Sequence, residues 1–213
     1  MTRSVHGAPA AEGAPAGSSQ EELLARLRAG EAAAFDELVR LAGGRMLSAA
    51  RKLMPCEEDA HDAVQDAFLS AYKSLERFDG RSQLTTWLHR ITINACLMKL
   101  RSRRRRPECA IEDLLPRFTE DGHAATPSGA WKPDGETGIE GGEARALVRA
   151  KINELPEQYR TVLILRDIEE LSGQEAAEAL GTTENAVKTR LHRARQALRT
   201  LLDPYFRREP NRA

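Results

Sequence analysis

Hydrophobic residues recur at helical spacing in two separate stretches of the chain. Apolar positions three and four residues apart are typical of amphipathic helices, and neither stretch shows the strict alternation of a half-buried strand. In the first stretch the pattern predicts helices over 21–29, 31–54, 57–77 and 83–104, with breaks near Gly30, Gly43-Gly44, Pro55 and Asp79-Gly80-Arg81-Ser82. In the second it predicts helices near 143–154, 156–168, 172–180 and 183–202. The sequence therefore predicts an all-α fold of two small helical bundles.

The helical pattern stops between residues 107 and 142. Ten of these 36 residues are Gly or Pro, so the segment is too long and too broken for a loop inside one compact domain. We expect a flexible linker at 107–142 that joins a domain at 21–106 to a helix-turn-helix domain at 143–204. Residues 1–20, rich in Ala, Gly, Pro and Ser, are predicted to be a disordered tail, and 205–213 a second tail.

Charge is distributed unevenly along the chain, although the total is zero. Residues 21–106 carry 16 basic and 12 acidic side chains, residues 107–142 carry 2 and 8, and residues 143–213 carry 13 and 11. The net charges of these segments are therefore +4, −6 and +2. Two mildly basic blocks on either side of an acidic linker indicate a nucleic-acid partner better than the total does.

Several classes of protein are disfavoured by what the sequence lacks. No apolar run approaches the roughly 20 residues that cross a bilayer, and the first twenty residues do not resemble a signal peptide, so membrane insertion is not expected. Cys56, Cys96 and Cys109 have no paired spacing, which predicts neither disulfides nor a zinc site and fits a reducing cytoplasm. The five histidines are dispersed and no phosphate-binding glycine loop is present, so neither an enzyme nor a cofactor is expected.

The segment 172–199 has the pattern of a helix-turn-helix. Ser172 and Glu175 form a predicted capping box, Gly181 suits a tight turn, and Thr182 or Thr183 can cap the second helix. The outer face of that helix offers Lys188, Thr189, His192 and Arg193 for DNA contact in the major groove. Arg195 and Arg199 lie further along, where backbone phosphates are the expected targets. The alternative is an ordinary amphipathic helix with a solvated basic face.

The helix predicted at 83–104 combines a buried stripe with a basic end. Its apolar side is predicted to contain Leu84, Trp87, Leu88, Ile91, Ala95 and Met98. Its flank offers donors for unstacked bases and phosphates at Gln83, Arg90, Asn94 and Arg101. The dense basic end, which includes Arg101, Arg103 and Arg104, suits a phosphate backbone. Complementing the helix dipole would explain one or two of these arginines but not all.

The helix predicted at 57–77 has an acidic outer face. It is formed by six acids, with Gln65 among them: Glu57, Glu58, Asp59, Asp62, Asp66 and Glu76. Because this charge repels DNA, we expect the face to bind a protein. The alternative is a solvated helix whose first acids only complement its N-terminal dipole.

These segments resemble a known family. Residues Asp59 to Tyr72 resemble the core-polymerase-binding region of sigma-70 family proteins, and Phe78 to Asn94 resemble the promoter-melting region of the extracytoplasmic-function (ECF) subgroup. Leu155 to Arg160 and Leu171 to Leu198 resemble the C-terminal helix-turn-helix domain of that subgroup. The resemblance covers about 21–106 and 143–204, and its several independent motifs occur in the family's order.

The resemblance implies a role for each group of residues. Asp62, Gln65, Asp66 and Phe68 would form or support the surface that docks on the clamp of the polymerase's largest subunit, with the polymerase flap as a second contact. The loop Asp79, Gly80, Arg81, Ser82 and Gln83 would capture a flipped base of the minus-ten element, and Asn94 would line its pocket. Lys188, Thr189, His192 and Arg193 would read the minus-thirty-five element. The family also implies an anti-sigma partner.

The hypothesis from sequence is therefore a sigma factor that binds core RNA polymerase and promoter DNA. The alternative is a conventional helix-turn-helix regulator that acts without replacing sigma. Such a regulator would have no use for the acidic docking helix or for the basic helix that carries Asn94.

Overall fold

The computed structural model describes residues 16–103, 111–115 and 141–206, and it is helical with no strand in these ranges. This confirms the predicted all-α fold. The chain divides into two compact units between Cys96 and Leu97. In the described ranges no helix combines the length and the apolar character that a membrane span requires.

The first unit contains four successive helices. They are α1 (Ala16–Arg28), α2 (Ala32–Leu53), α3 (Glu57–Ser74) and α4 (Leu84–Arg103), and one 3₁₀ turn, Leu75–Arg77, follows α3. The last residues of α4 belong to the second unit. Buried side chains of the four helices and of the segment that follows α3 form one core, which contains Leu23, Leu27, Leu38, Met46, Leu75, Phe78, Leu84 and Leu88. The small residues Ala60, Ala63, Ala67 and Ala71 of α3 are also buried and let α3 pack closely on α2.

Two predicted features of this unit are wrong. Helix α1 begins at Ala16, so residues 16–20 are helical and not part of a disordered tail, and Gln20 is half-buried. Helix α2 is continuous through Gly43-Gly44, where the sequence predicted a break. Each glycine costs about 1 kcal/mol in a helix interior. Ala42 and Met46, both about 1% exposed, hold the helix against the core on either side of the pair and offset that cost.

The buried side of α4 also differs from the predicted stripe. Leu84 and Leu88 are buried and Trp87 is half-buried as expected, but Met98 is 67% exposed. The predicted stripe missed Thr92, Ile93, Cys96, Leu97 and Leu100, which are all buried. Helix α4 therefore buries a wider arc than an amphipathic surface helix does. Thr92 is tolerated in this arc because its hydroxyl donates to the Leu88 carbonyl at 2.8 Å.

The second unit contains the remaining helices. They are α5 (Gly141–Glu154), α6 (Glu157–Leu163), which continues into one π-helical turn at Ile164–Ile168, α7 (Gly173–Leu180) and α8 (Glu184–Phe206). The core lies mainly between α6 and α8 and contains Tyr159, Val162, Ile164, Leu165, Ala176, Val187, Leu191, Ala194 and Leu202. Helix α8 ends two residues beyond the predicted domain boundary at 204.

One part of the predicted linker is ordered against the second unit. Ile111–Leu114 forms a short 3₁₀ helix that packs on α8, and Ile111 is only 3% exposed. A buried isoleucine explains why this segment adopts a fixed structure within a stretch rich in glycine and proline. Residues 104–110 and 116–140 lie outside the described residues, and Arg104 and Cys109 are among them.

Candidate functional site

Helices α7 and α8 are joined by a turn whose geometry follows from three residues. The Ser172 hydroxyl accepts the Glu175 N–H at 3.1 Å, and the Glu175 carboxylate accepts the Ser172 N–H at 2.9 Å, which completes the predicted capping box. Gly181 ends α7 with φ +63°, a left-handed conformation that glycine adopts without strain. The Thr183 hydroxyl accepts the Ala186 N–H at 3.2 Å, so Thr183 is the residue that caps α8.

Helix α8 presents one buried face and one exposed face, as a recognition helix requires. Val187, Leu191, Ala194 and Ala197 are buried against the unit's core. Leu198 and Leu201, further along the same face, are half-buried. All six residues predicted to contact the minus-thirty-five element are exposed: Lys188, Thr189, His192, Arg193, Arg195 and Arg199. The arrangement leaves cationic and hydrogen-bonding groups available to a DNA groove.

Two of these arginines already have acidic neighbours. The Arg195 guanidinium makes a two-pronged ion pair with Asp167, at 2.9 and 2.6 Å, and these hydrogen bonds raise the pKa of Arg195 above its ordinary value. Asp167 lies in the π-helical turn after α6, so this pair links that turn to α8. Arg193 lies 3.8 Å from Glu112 of the ordered linker segment, in a looser pair with both side chains largely exposed.

The predicted minus-ten loop is a short exposed segment before α4. Asp79, Gly80, Arg81 and Gln83 are exposed, Ser82 is half-buried, and Gly80 has φ +75°. The Asp79 carboxylate accepts the backbone N–H of Arg81 at 3.1 Å and pairs with the Arg81 guanidinium at 3.0 Å. The Asp79 side chain therefore stabilises the turn, while the Arg81 side chain remains 89% exposed.

Helix α4 carries the rest of the predicted minus-ten surface. Arg90 and Asn94 are exposed and lie four residues apart, so they share one face of the helix. Trp87, one turn before Arg90, packs against Phe78 with ring centroids 4.9 Å apart, which favours a structural role for it. Arg101 is exposed and its guanidinium donates to the Ala179 carbonyl within the second unit. Arg103 ends the helix.

The predicted docking residues border an apolar groove between α2 and α3. Asp62, Gln65 and Phe68 line this groove, whose volume is about 530 Å³. Asp66 is exposed one turn beyond Asp62 on the same helix. Most of the lining is apolar and comes from both helices, including Phe35, Leu38, Val39, Leu69 and Tyr72. Phe35 and Tyr72 contact each other, with ring centroids 5.1 Å apart.

The sequence reasoning missed the apolar part of this surface. Val39, Leu69 and Tyr72, which all line the groove, are each between 48% and 60% exposed. The signal that could have found Leu69 and Tyr72 is their position off the buried line of α3, three residues apart on its outer side. Large apolar side chains that remain exposed next to one another are typical of a protein-binding surface.

The acids at the start of α3 are partly neutralised within the first unit. The Arg51 Nε donates to both carboxylate oxygens of Glu57, at 3.0 and 2.9 Å. The His61 Nε2 lies 3.1 Å from one of the same oxygens. The hydrogen bond from Arg51 lowers the pKa of Glu57. The charge of Glu57 is therefore partly neutralised by its neighbours within this unit. Within the residues described, no three His, Cys, Asp or Glu side chains are grouped so as to hold a metal ion.

A helix-turn-helix unit and a helical unit with an apolar and acidic groove define a helical transcription factor. The family described as Sigma-70 region 2 matches residues 38–106, and the one described as Sigma-70, region 4 matches residues 145–198. The RNA polymerase sigma-H factor of Pseudomonas aeruginosa is 34% identical over 194 residues, which cover 88% of this chain and 95% of the relative. The ECF RNA polymerase sigma factor SigM of Mycobacterium tuberculosis is 37% identical over 184 residues, which cover 86% and 85% respectively.

A solved structure gives the same result. The sigma factor RpoE of Bartonella quintana, determined in complex with the anti-sigma factor NepR, is 25% identical, with a TM-score of 0.51 over 79% of this chain and 96% of that one. The chain belongs to the sigma-70 family, in its extracytoplasmic-function group, and is a sigma factor that directs transcription initiation. The family predicted from the motifs is confirmed, and the conventional regulator is not favoured.

Proposed function

We propose that this sigma factor divides its work among three surfaces. The α2–α3 groove and the acids beside it bind the clamp of the largest subunit of core RNA polymerase. The loop 79–83 and the exposed flank of α4 hold the melted minus-ten strand. The outer face of α8 reads the minus-thirty-five duplex, and its unit also contacts the polymerase flap. The protein itself performs no catalysis and acts in the cytoplasm.

The observation that carries this proposal is the separation of chemistry between α3 and α8. The exposed face of α3 combines Asp62 and Asp66 with the apolar Leu69 and Tyr72, which suits a protein and repels DNA. The exposed face of α8 places Lys188 and His192 on successive turns, with Arg193 next to His192 and no acid between them in the sequence. These two faces need different partners, and a polymerase bound at a promoter supplies both.

Regulation by a covering protein follows from the same groove. The exposed apolar side chains of α2 and α3 offer a binding site while polymerase is absent. The relative RpoE was solved in complex with an anti-sigma factor. We infer that an anti-sigma protein inhibits this chain by competing with polymerase.

The test is run-off transcription with core polymerase and a promoter library. The chain should select a defined set of promoters, and Asp66→Arg should abolish association with core polymerase while upstream duplex binding is retained. Glu22→Arg, which makes the same charge change at an exposed site on α1, should leave association intact. A wild-type chain freed of any inhibitor that still fails to bind core polymerase would refute the proposal.

A further inference from the structure

Helix α1 contacts both ends of the loop that precedes α4. At one end the Gln20 side-chain oxygen accepts the backbone N–H of Leu84 at 2.9 Å, and the Gln20 amide nitrogen lies 3.5 Å from the Ser82 carbonyl. At the other end the Arg28 guanidinium donates to the Phe78 carbonyl at 2.7 Å. The five loop residues 79–83 therefore lie between backbone groups that α1 side chains hold.

The contact at Leu84 supplies a hydrogen-bond acceptor that the start of α4 lacks. The first N–H groups of a helix have no acceptor within the helix, and an N–H that is partly buried without a partner is costly. Leu84 is the first residue of α4 and its side chain is 1% exposed, so water has limited access to this end. Gln20, 64 positions earlier in the chain, supplies the missing acceptor.

The packing between these two contacts makes the arrangement rigid. Leu23, Leu24 and Leu27 lie between Gln20 and Arg28 on α1 and are all buried in the core that also contains Phe78 and Leu84. Residues 20, 23, 24, 27 and 28 share one side of α1 by helical spacing. Gln20 and Arg28 are about 12 Å apart along the helix axis, at 1.5 Å per residue. Both ends of the loop are thus fixed, while Asp79, Gly80, Arg81 and Gln83 stay exposed.

We propose that α1 is the positioning element of the minus-ten loop, in which Gln20 and Arg28 hold the ends of residues 79–83 and so set how selectively the loop takes up an unpaired promoter base. The proposal rests on the minus-ten role assigned above to this loop. A loop that is ordered before binding loses little conformational entropy when it binds. Because its shape is fixed, it also discriminates better between a fitting and a poorly fitting base. Gln20 and Arg28 act through the loop and need not touch DNA.

The experiment compares Gln20→Ala and Arg28→Ala with wild type in holoenzyme assembled from core polymerase. Opening of the minus-ten region is followed by fluorescence of a 2-aminopurine placed there, on a preferred promoter and on promoters with one minus-ten base changed. Each variant should lower the ratio of opening between preferred and altered promoters by roughly three- to tenfold, the effect of one ordinary hydrogen bond. Core binding and upstream duplex binding should stay unchanged.

Conservative variants separate positioning from simple loss of structure. Gln20→Glu keeps the acceptor for the Leu84 N–H, and Arg28→Lys keeps a donor for the Phe78 carbonyl, so both should recover most of the discrimination. Glu22→Ala, an exposed change on the same helix, should behave as wild type. Equal loss on all promoters, or discrimination identical to that of Glu22→Ala, would overturn the proposal.

Hydrogen exchange of the free chain tests the contact between Gln20 and the start of α4 independently of transcription. The Leu84 amide should exchange faster in Gln20→Ala than in wild type, and Gln20→Glu should restore its protection. Unchanged exchange at Leu84 in Gln20→Ala would overturn the proposal even if promoter discrimination fell. A wild-type chain that opens no promoter would instead refute the minus-ten role of the loop. Faster exchange in Gln20→Ala would still show that α1 holds the loop ends.

Discussion

Arg193 and Arg195 are two residues apart on α8 but have different surroundings. Arg195 is held by Asp167 in a two-pronged pair, whereas Arg193 has only the loose pair with Glu112 at 3.8 Å. If Arg193 reads a base as proposed above, Arg193→Ala should weaken binding to the upstream duplex and relax its base preference by about 1–3 kcal/mol. Fluorescence anisotropy on a set of single-base variants of the duplex measures both effects.

Arg195→Ala is the matched control for that change. It removes the same charge from the same helix but also an exposed ion pair, whose loss costs roughly 0.2–1 kcal/mol of stability. Its effect on DNA should be a uniform weakening on all sequences, with a shallower dependence of affinity on salt. An unaltered base preference in Arg193→Ala would exclude that arginine as a reader.

Glu170 is the only non-glycine residue with positive φ in the described part of the chain, at +56°. A left-handed conformation costs a residue with a β-carbon about 1–2 kcal/mol. Glycine avoids this cost, but it also raises the conformational entropy of the unfolded chain, which cancels part of the gain in stability. Glu170→Gly should therefore raise the free energy of unfolding by about 0.5–1 kcal/mol, measured by urea denaturation. Glu169→Gly, at φ −94°, relieves no such strain and should be neutral or destabilising.

The capping box is the best-defined local feature at the scale of elements. Ser172→Ala removes the acceptor for the Glu175 N–H at the start of α7 and should cost about 1 kcal/mol of stability. Ser172→Asp supplies a replacement acceptor and should recover most of it. Both are measured by thermal unfolding of the full chain, and equal melting temperatures for Ser172→Ala and wild type would show that the cap contributes nothing.

The sequence predicted the helices well because their determinants are local. Apolar spacing, a capping box and a turn glycine act within one or two turns, and α7 and α8 lie within a few residues of their expected positions. The errors arose where packing overrides local preference. The burial of Ala42 and Met46 carries α2 through two glycines, and the wide buried arc of α4 leaves Met98 in solvent.

For the candidate sites, too, what could be predicted depended on whether the determinants are local or come from packing. The outer face of α8 could be predicted because a single helix defines it. The apolar lining of the α2–α3 groove could not be predicted, because Val39 and Leu69 become neighbours only when α2 packs on α3. Gln20 was assigned to a tail by composition, and nothing near it in the sequence reveals a hydrogen bond to a residue 64 positions away.

At the scale of the whole molecule, part of the acidic linker lies against α8. Glu112 pairs with Arg193, so DNA that binds Arg193 must replace that carboxylate. We expect Glu112→Gln to raise the affinity of the chain for the upstream duplex by about two- to threefold at low salt, and the gain should disappear at high salt. Asp113→Asn, the neighbouring exposed acid, should have a smaller effect. A gain that persists at high salt would point to a cause other than this ion pair.

The groove between α2 and α3 has a consequence for how much of the protein a cell can tolerate. Val39, Leu69 and Tyr72 meet water whenever no other protein covers them, and such neighbouring apolar side chains promote self-association. Copies made in excess of their binding partners would then accumulate as oligomers or be degraded. Synthesis matched in stoichiometry to a dedicated partner would keep the chain in usable form.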